Sequence, residues 1–474
     1  MANQEHLRLL NTPAWNQWRK SNPSATPDFV GADLTGLDLS GKALHQAHFS
    51  NAILTGTNFT SADLSGSMMT GATLLGTRFH KTRMEGIHLD YADLSNMDFT
   101  GASLKGAILR YANLKACNLS ACNLTNGNFD GAEMQGTNLT IANLEGASFH
   151  GTKLQGANLF DASLKKATFD SADASGASFM KANLTEAVLN QAILKKTRWE
   201  GARLHQTVAR SADFTESLFT LAEIQNGMFD HAVFARCDFS KARVVRTLFR
   251  YAQFQRAKLA NAEFEECSFA NAILEETDFR FVKLKNCPFE QSNLKNSNFF
   301  KQSLEGFVFD GANLSDADFR ETVITKSSFC EAVLHRTRFR KAQMKDCDFT
   351  KLKGEECDFG GCQLSLCNFT GADLTEADMR FAILIGARMK GARLVHADLT
   401  CADLREAELA GANFWGTKLK KAQMQGSTLL TILPFLILGK MFFPIQKKLR
   451  EGKVRKEKDK QKRAEELLQT VRKR

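Results

Sequence analysis

The 474-residue chain has no Walker loop, no HExxH and no GxSxG at a strand-to-helix turn. The phosphate cradle, the paired zinc histidines and the nucleophile elbow on which many enzymes are built are therefore missing. Its start, MANQEHLRLL, is too short in apolar residues to be a secretory leader. Histidine offers no ligand set either. His45, His48, His80, His88, His150, His205, His231, His335 and His396 fall at outward positions of the repeat described below, and none has another His or an outward Cys one coil away. A zinc site needs three or four converging ligands. We expect no catalytic, cofactor or metal site, and we expect the protein not to be an enzyme.

What the chain does have is a repeat of five. Residues 371–394, GADLTEADMRFAILIGARMKGARL, place a small residue two before a large apolar one, every five positions. From Leu34 to Met424 a Leu, Phe, Met, Ile, Val or Trp stands at every number ending in 4 or 9, except at Ala174, Ala209 and Gly354. Five fits neither the 3.6 period of a helix nor the 2 of a flat strand. No insertion breaks the register, as in a stack of coils. Centres ending in 9 favour Phe and those ending in 4 favour Leu, an alternation of ten that a four-sided coil of four such units satisfies. Opposite charges 20 apart support that length: Arg243 with Glu263, Arg246 with Glu266, Arg256 with Glu276 and Lys258 with Asp278.

The units ADLTE, ANLEG, CNLSA and ADFRE resemble the A(D/N)LXX unit of pentapeptide repeat proteins over residues 29–428. The resemblance implies an all-β solenoid, a right-handed quadrilateral β-helix of about 20 coils with both inward columns filling a dry core. One role in that family is mimicry of duplex DNA on topoisomerases by an acidic rod. Net charge here is +10, of which residues 1–28 carry +1, Lys440 +1 and residues 447–474 +8, leaving 29–428 neutral. A neutral body departs from that pattern. It also weakens a phosphate groove at Arg236, Lys241, Arg243, Arg246, Arg250, Arg256 and Lys258, whose successors are acidic, so nucleic acid is not the expected partner. The column Arg280, Arg320, Arg340, Arg380, with Phe300, runs beside Asp278, Asp318, Asp358 and Asp378 and reads as a mixed-sign solvated face.

Departures from the repeat are few. Leu352 and Gly354 invert the small-then-large order, which keeps volume and reads as a swap inside one corner. Gln302 is polar in an inward column near Phe307. Coils 300–310 and 350–360 are thus expected to be irregular. Nine of eleven cysteines (Cys117, Cys122, Cys237, Cys267, Cys287, Cys347, Cys357, Cys362, Cys367) occupy the small inward column as buried reduced thiols, and Cys330 and Cys401 point outward. Reduced thiols and no leader suggest a bacterial cytoplasm.

Both ends differ from the body. TPAWNQWRKSNPS, within residues 1–28, reads as a short helix carrying Trp15 and Trp18 on one side and ended at Asn22-Pro23. Similar Trp-bearing segments in the family imply a lid on the first coil. Residues 429–446 are apolar: Leu433, Phe435, Leu436, Ile437, Leu438, Phe442 and Phe443, interrupted by Pro434, Gly439, Lys440 and Pro444. They read either as a cap over the last coil or as an anchor in the membrane interface. Residues 447–474 read as a basic helical tail whose Lys447, Lys448, Arg450, Lys453, Arg455 and Lys456 suit an anionic partner or lipid surface. The expectation is a non-catalytic scaffold that binds a protein partner through flat faces, cytoplasmic and peripheral at the inner face of the membrane. The alternatives are a DNA-mimicking topoisomerase modulator and a secreted bacterial effector that targets host membranes.

Overall fold

The computed structural model describes residues 2–428, which fall in two compact units, Met1–Asn298 and Phe299–Arg474. Both are β-solenoids of stacked parallel segments. In the first, parallel bridges join positions 20 apart from Asp28↔His48 to Asp278↔Asn298; in the second they run from Val308↔Ser328 to Asp403↔Gln423. The coil therefore holds four of the five-residue units, as the Leu/Phe alternation and the charge spacing indicated.

The five-residue unit follows from its hydrogen bonds. Around Leu54, Ala52 points inward and Ile53 outward, and the Leu54 N–H donates to Thr73 O of the next coil at 2.8 Å. The Gly56 N–H donates to Leu75 O at 2.8 Å, and the Thr57 N–H returns to Leu54 O at 3.0 Å, closing a four-residue turn. Gly56, third in that turn, has φ +70°, the value a type II turn demands and glycine adopts freely. Other residues meet the same demand at roughly 1–2 kcal/mol each, yet many corners carry them, Asn51 and Tyr91 among them. The ladder to both neighbouring coils holds them there.

The small inward column adds a second bond. Thr57 Oγ1 donates to Leu34 O at 2.8 Å and Thr82 Oγ1 to Phe59 O at 2.8 Å, each 23 positions back. Cysteine does the same: Cys117 Sγ donates to Leu94 O at 2.7 Å, Cys122 to Phe99 O at 2.9 Å and Cys362 to Phe339 O at 2.9 Å. The nine inward cysteines are free and buried, as expected from their column. Several of them replace threonine, bond included, rather than alanine alone. The centres make the core. In the second unit Phe309, Phe329, Phe349 and Phe369 stack at 4.8–5.0 Å, and Phe299, Phe319, Phe339 and Phe359 at 4.6–5.1 Å. Phe349 and Phe359 meet edge to face at 5.9 Å, the arrangement the ring quadrupole favours.

Irregularity is found in the 300–310 coil, as expected, and also in several coils that the sequence did not mark. Five short strands, β1 (Arg203–His205), β2 (Glu223–Gln225), β3 (Arg243–Val245), β4 (Glu263–Glu265) and β5 (Lys283–Lys285), form a parallel sheet in the first unit. In the second, β6 (Ser303–Glu305) pairs with β7 (Val323–Thr325). At two of these corners a hydroxyl from the next coil takes the turn's N–H: Gly227 N donates to Thr247 Oγ1 at 3.4 Å and Phe307 N to Ser327 Oγ at 3.0 Å. The 300–310 coil is thus one of several widened corners. The 350–360 coil is regular, with Gly354 N donating to Asp373 O at 2.7 Å. There Leu352 is 1 % exposed and its Cδ1 lies 2.5 Å from where a Gly354 Cβ would stand, so Leu352 fills the vacated core position.

Two helices cover the first coil: α1 (Gln4–Leu10), not foreseen, and α2 (Trp15–Ser21). Asn3 caps α1 by accepting from the Glu5 and His6 N–H groups, and Trp15 is fully buried with its Nε1–H on Ala43 O at 2.9 Å. Asn16 stands in for a missing strand: its Nδ2 donates to Gly41 O at 3.0 Å and its Oδ1 accepts from Ala43 N at 2.8 Å. Arg19, itself buried, donates to the carbonyls of Asn22, Ala25 and His45. Backbone groups of the open edge are thereby satisfied by side chains.

Candidate functional site

A solenoid face is built from three outward columns, so an unusual surface must come from what the columns carry. The sequence holds three tyrosines, Tyr91, Tyr111 and Tyr251. All three stand in one corner column of the first unit, at separations that are multiples of 20. Each adopts φ near +60° and is exposed, by 70 %, 55 % and 50 % respectively. Glycine would be the cheaper residue there, both for the backbone and for the water-facing ring.

The rings are ordered by stacking. Tyr91 and Tyr111 lie 5.2 Å apart with planes 13° from parallel, and His231 and Tyr251 4.7 Å apart at 4°. Tyr111 leans over Gly131, where an added Cβ would fall 2.5 Å from the ring. An ion pair flanks each stack in the preceding column. Arg110 Nε donates to Asp90 Oδ1 at 2.8 Å, and Arg250 grips Asp230 through Nε at 2.9 Å and Nη2 at 2.7 Å. Asp90 and Asp230 are buried, and hydrogen bonding to them holds both guanidinium groups above their ordinary pKa. The same device, DY…RY and DH…RY, thus occurs twice, seven coils apart. At about 4.8 Å per coil that is about 34 Å along one edge.

This constellation was missed in the sequence, although the register of 20 carries the signal once outward columns are read as well as inward ones. The residues that were singled out fare differently. Leu433, Phe435, Leu436, Ile437, Leu438, Phe442 and Phe443, and Lys447, Lys448, Arg450, Lys453, Arg455 and Lys456, lie outside the described residues. Of the four charge pairs only Arg256–Glu276 forms, at 2.7 Å. Glu263 faces Arg243 in register but pairs with Lys283, Arg246 Nε turns to Asn226 Oδ1 at 2.9 Å, and Asp278 takes Arg280 two residues along its own segment at 2.8 Å. A side chain here has a neighbour above, one below and one two residues on, so opposite sign at separation 20 does not select the partner.

The arginine column is paired, as its mixed sign suggested. Arg320 binds Asp318 at 2.7 Å, and Arg340 reaches both Asp358 at 3.0 Å and Asp378 at 3.1 Å. Arg380 also binds Asp378, at 2.6 Å, and the Arg320 guanidinium lies 5.6 Å from the Phe300 ring centre. Among the described residues no group of three or more His, Cys, Asp and Glu could hold a metal ion, and no helix is long and apolar enough to cross a membrane.

Comparison with known proteins returns the repeat. The model of pentapeptide repeats matches in successive stretches from 28–66 to 397–429, and that of the pentapeptide repeat region matches 122–199. No match was found among curated proteins. Among solved structures, HetL, a pentapeptide repeat protein involved in heterocyst differentiation regulation from the cyanobacterium Nostoc, is 20 % identical. That match covers 74 % of this chain and 90 % of HetL at a TM-score of 0.24. QnrB1, a plasmid-mediated fluoroquinolone resistance protein, is 20 % identical over 49 % of this chain and 96 % of its own, at a TM-score of 0.25. A pentapeptide repeat protein of the Arabidopsis thaliana thylakoid lumen is 31 % identical over 25 % of this chain and 66 % of its own, at 0.11.

Proposed function

Because the chain belongs to the family of pentapeptide repeat proteins, we propose that it is a non-catalytic scaffold and that a protein partner seats on the tyrosine edge of its first unit. The observation that carries this reading is the confinement of all three tyrosines to one corner column, each stacked on an aromatic neighbour. Tyrosine is among the residues that dominate the energy of protein interfaces, because it offers a large rigid surface with a polar tip at small entropic cost. Here the stacks pre-order the rings, and the carboxylates that flank them, Asp90 and Asp230, are already matched by arginine. Burying each ring would contribute on the order of 1.5–3 kcal/mol. A partner that touches both stacks gains from two linked contacts. Nucleic acid fits less well, since Arg110 and Arg250 are committed to Asp90 and Asp230.

We assign the tail 447–474 to an anionic surface at the inner face of the membrane, on the strength of its +8 charge. Full-length protein should sediment with anionic vesicles and a 1–428 chain should stay in solution; equal behaviour of the two would remove the tail from the reading.

The partner is tested by affinity capture with the full chain and with a Tyr111→Gly/Tyr251→Gly variant. Glycine suits φ +58° and +61°, so the variant keeps its fold. Proteins captured by the parent and lost by the variant are the expected result. Identical captures from both would exclude the edge.

A further inference from the structure

On the second unit one stretch of surface departs from the charged, paired pattern. Phe381, Ile383 and Ile385 follow one another along the outside of a single segment, and Leu366 lies beside them from the coil before. Phe381 is 65 % exposed, Leu366 51 % and Ile383 38 %. Leu366 can lie across the face because glycine stands one coil on: a Cβ at Gly386 would meet Leu366 Cδ2 at 3.0 Å. Ile383 bridges Gln363 on one side and Asp403 on the other. Of the outward residues that the neighbouring coils place beside the patch, Glu406 at the corner alone adds an uncancelled charge. Gly361, Gln363 and Ser365 are neutral, and Asp403 and Arg405 cancel one another through contacts of 2.9 and 2.7 Å. Phe381 also holds φ +61°, a second cost that glycine would avoid. Contiguous apolar surface of this kind marks a contact site.

The chain supplies something to cover it. The described residues end at Thr428, whose N–H donates to Ala407 O at 3.2 Å and whose Oγ1 accepts from Leu409 N at 2.9 Å. In the register of 20, Thr428 stands one corner beyond the patch and two coils along, about 10 Å by coil spacing. The next residues, 429–445, read LLTILPFLILGKMFFPI, with Lys440 their only charge. Continued in the register of five, the sequence would put Pro434, Gly439 and Pro444 at three successive core centres, and proline lacks the N–H that the ladder needs. Seventeen residues reach up to about 56 Å when extended, several times that two-coil rise. We propose that residues 429–445 dock on the face formed by Phe381, Ile383, Ile385 and Leu366, as an intramolecular contact. The segment is then shielded by its own solenoid and is neither a cap on the last coil nor a standing membrane anchor, and only the basic tail beyond it is left to meet other surfaces. This contact is separate from partner binding, which is assigned to the other unit.

The test is photo-crosslinking in the full chain with p-benzoylphenylalanine in place of Phe381, an outward position that leaves the core untouched. The expected product is an adduct to a peptide from 429–445 of the same chain, with a yield that does not change on tenfold dilution. Adducts between chains, adducts only to lipid when anionic vesicles are present, or no adduct would each overturn the proposal. A second variant, Phe381→Ser/Ile383→Ser, confirmed folded by circular dichroism, should let trypsin cut after Lys440 on the order of tenfold faster, since cleavage follows the undocked population. An unchanged rate would also overturn it.

Discussion

Exchanging the side chains at 352 and 354 tests how the core is filled. Leu352 is buried and occupies the space that the centre at 354 would take. Leu352→Ala alone empties it and should cost about 2–5 kcal/mol. Gly354→Leu alone drives a second side chain into occupied volume: its Cβ would stand 2.5 Å from Leu352 Cδ1 and 3.2 Å from both Asp373 O and Cys357 Sγ. Overpacking of that kind costs about 1–3 kcal/mol. Gly354 does not sit at a positive φ, so no backbone strain is added. In the double variant the Leu352 clash is gone, and Asp373 O and Cys357 Sγ need yield only slightly. Independent effects would sum to about 3–8 kcal/mol, whereas restoring the ordinary order should leave the double variant within about 2 kcal/mol of the parent. Chemical unfolding followed through Trp415, which belongs to the same unit, reads the difference as shifts in midpoint. A double variant as unstable as the sum would refute the idea that the two positions share one core site.

Glu133 is held by Lys115 and by Lys153 at 2.9 Å, and those hydrogen bonds bring its pKa down from 4.5 to about 2. A depressed carboxylate stabilises above its unfolded pKa and loses that contribution as pH falls through the folded one. The gap in melting temperature between parent and Glu133→Gln should therefore close between about pH 5 and about pH 2; a constant gap would remove the lysines from the account. Burial pushes the thiols of Cys117 and Cys362 up to about 12 and that of Cys122 to about 11. Iodoacetamide at about pH 8 should label Cys330 and Cys401 and spare these three until denaturant is added, as mass spectrometry would show; labelling of the buried thiols in folded protein would contradict their placement. With residues 29–428 neutral, stoichiometric protein should leave gyrase supercoiling unchanged, and strong inhibition would restore DNA mimicry as a function.

What the sequence made legible was whatever the inward columns dictate. A large residue every five positions can satisfy only one arrangement, so Leu54, Phe309 and the nine inward cysteines stand where the register puts them. The corner at Phe307 was marked by Gln302 and Phe307, whereas that at Gly227 was not: there a hydroxyl from the next coil takes the turn's N–H and the five-residue pattern is unchanged. Helix α1 was missed because QEHLRLL carries no tryptophan to mark it, although Asn3 is an ordinary N-cap. The surface is harder still. Sign and spacing proposed Arg246 with Glu266, but a long side chain chooses among three neighbours, and Asn226 was nearer. The tyrosine edge needed only the register, applied to residues that do no packing.

The coil length gives that edge a phase. Each inward position takes a large apolar side chain, so a change of chain length by five between Tyr111 and Tyr251 would keep the core filled, with some Phe set over Leu, and the backbone ladder continuous. It would also carry Tyr251 a quarter turn round the solenoid, away from the corner that Tyr91 and Tyr111 occupy. A change of 20 would keep all three in line and alter only their spacing. Folding tolerates lengths in steps of five, whereas a partner that reads both stacks tolerates only whole turns, and then only if it can stretch. A series of chains lengthened in that interval by one, two, three and four of the five-residue units would separate stability from recognition without altering a single contact residue.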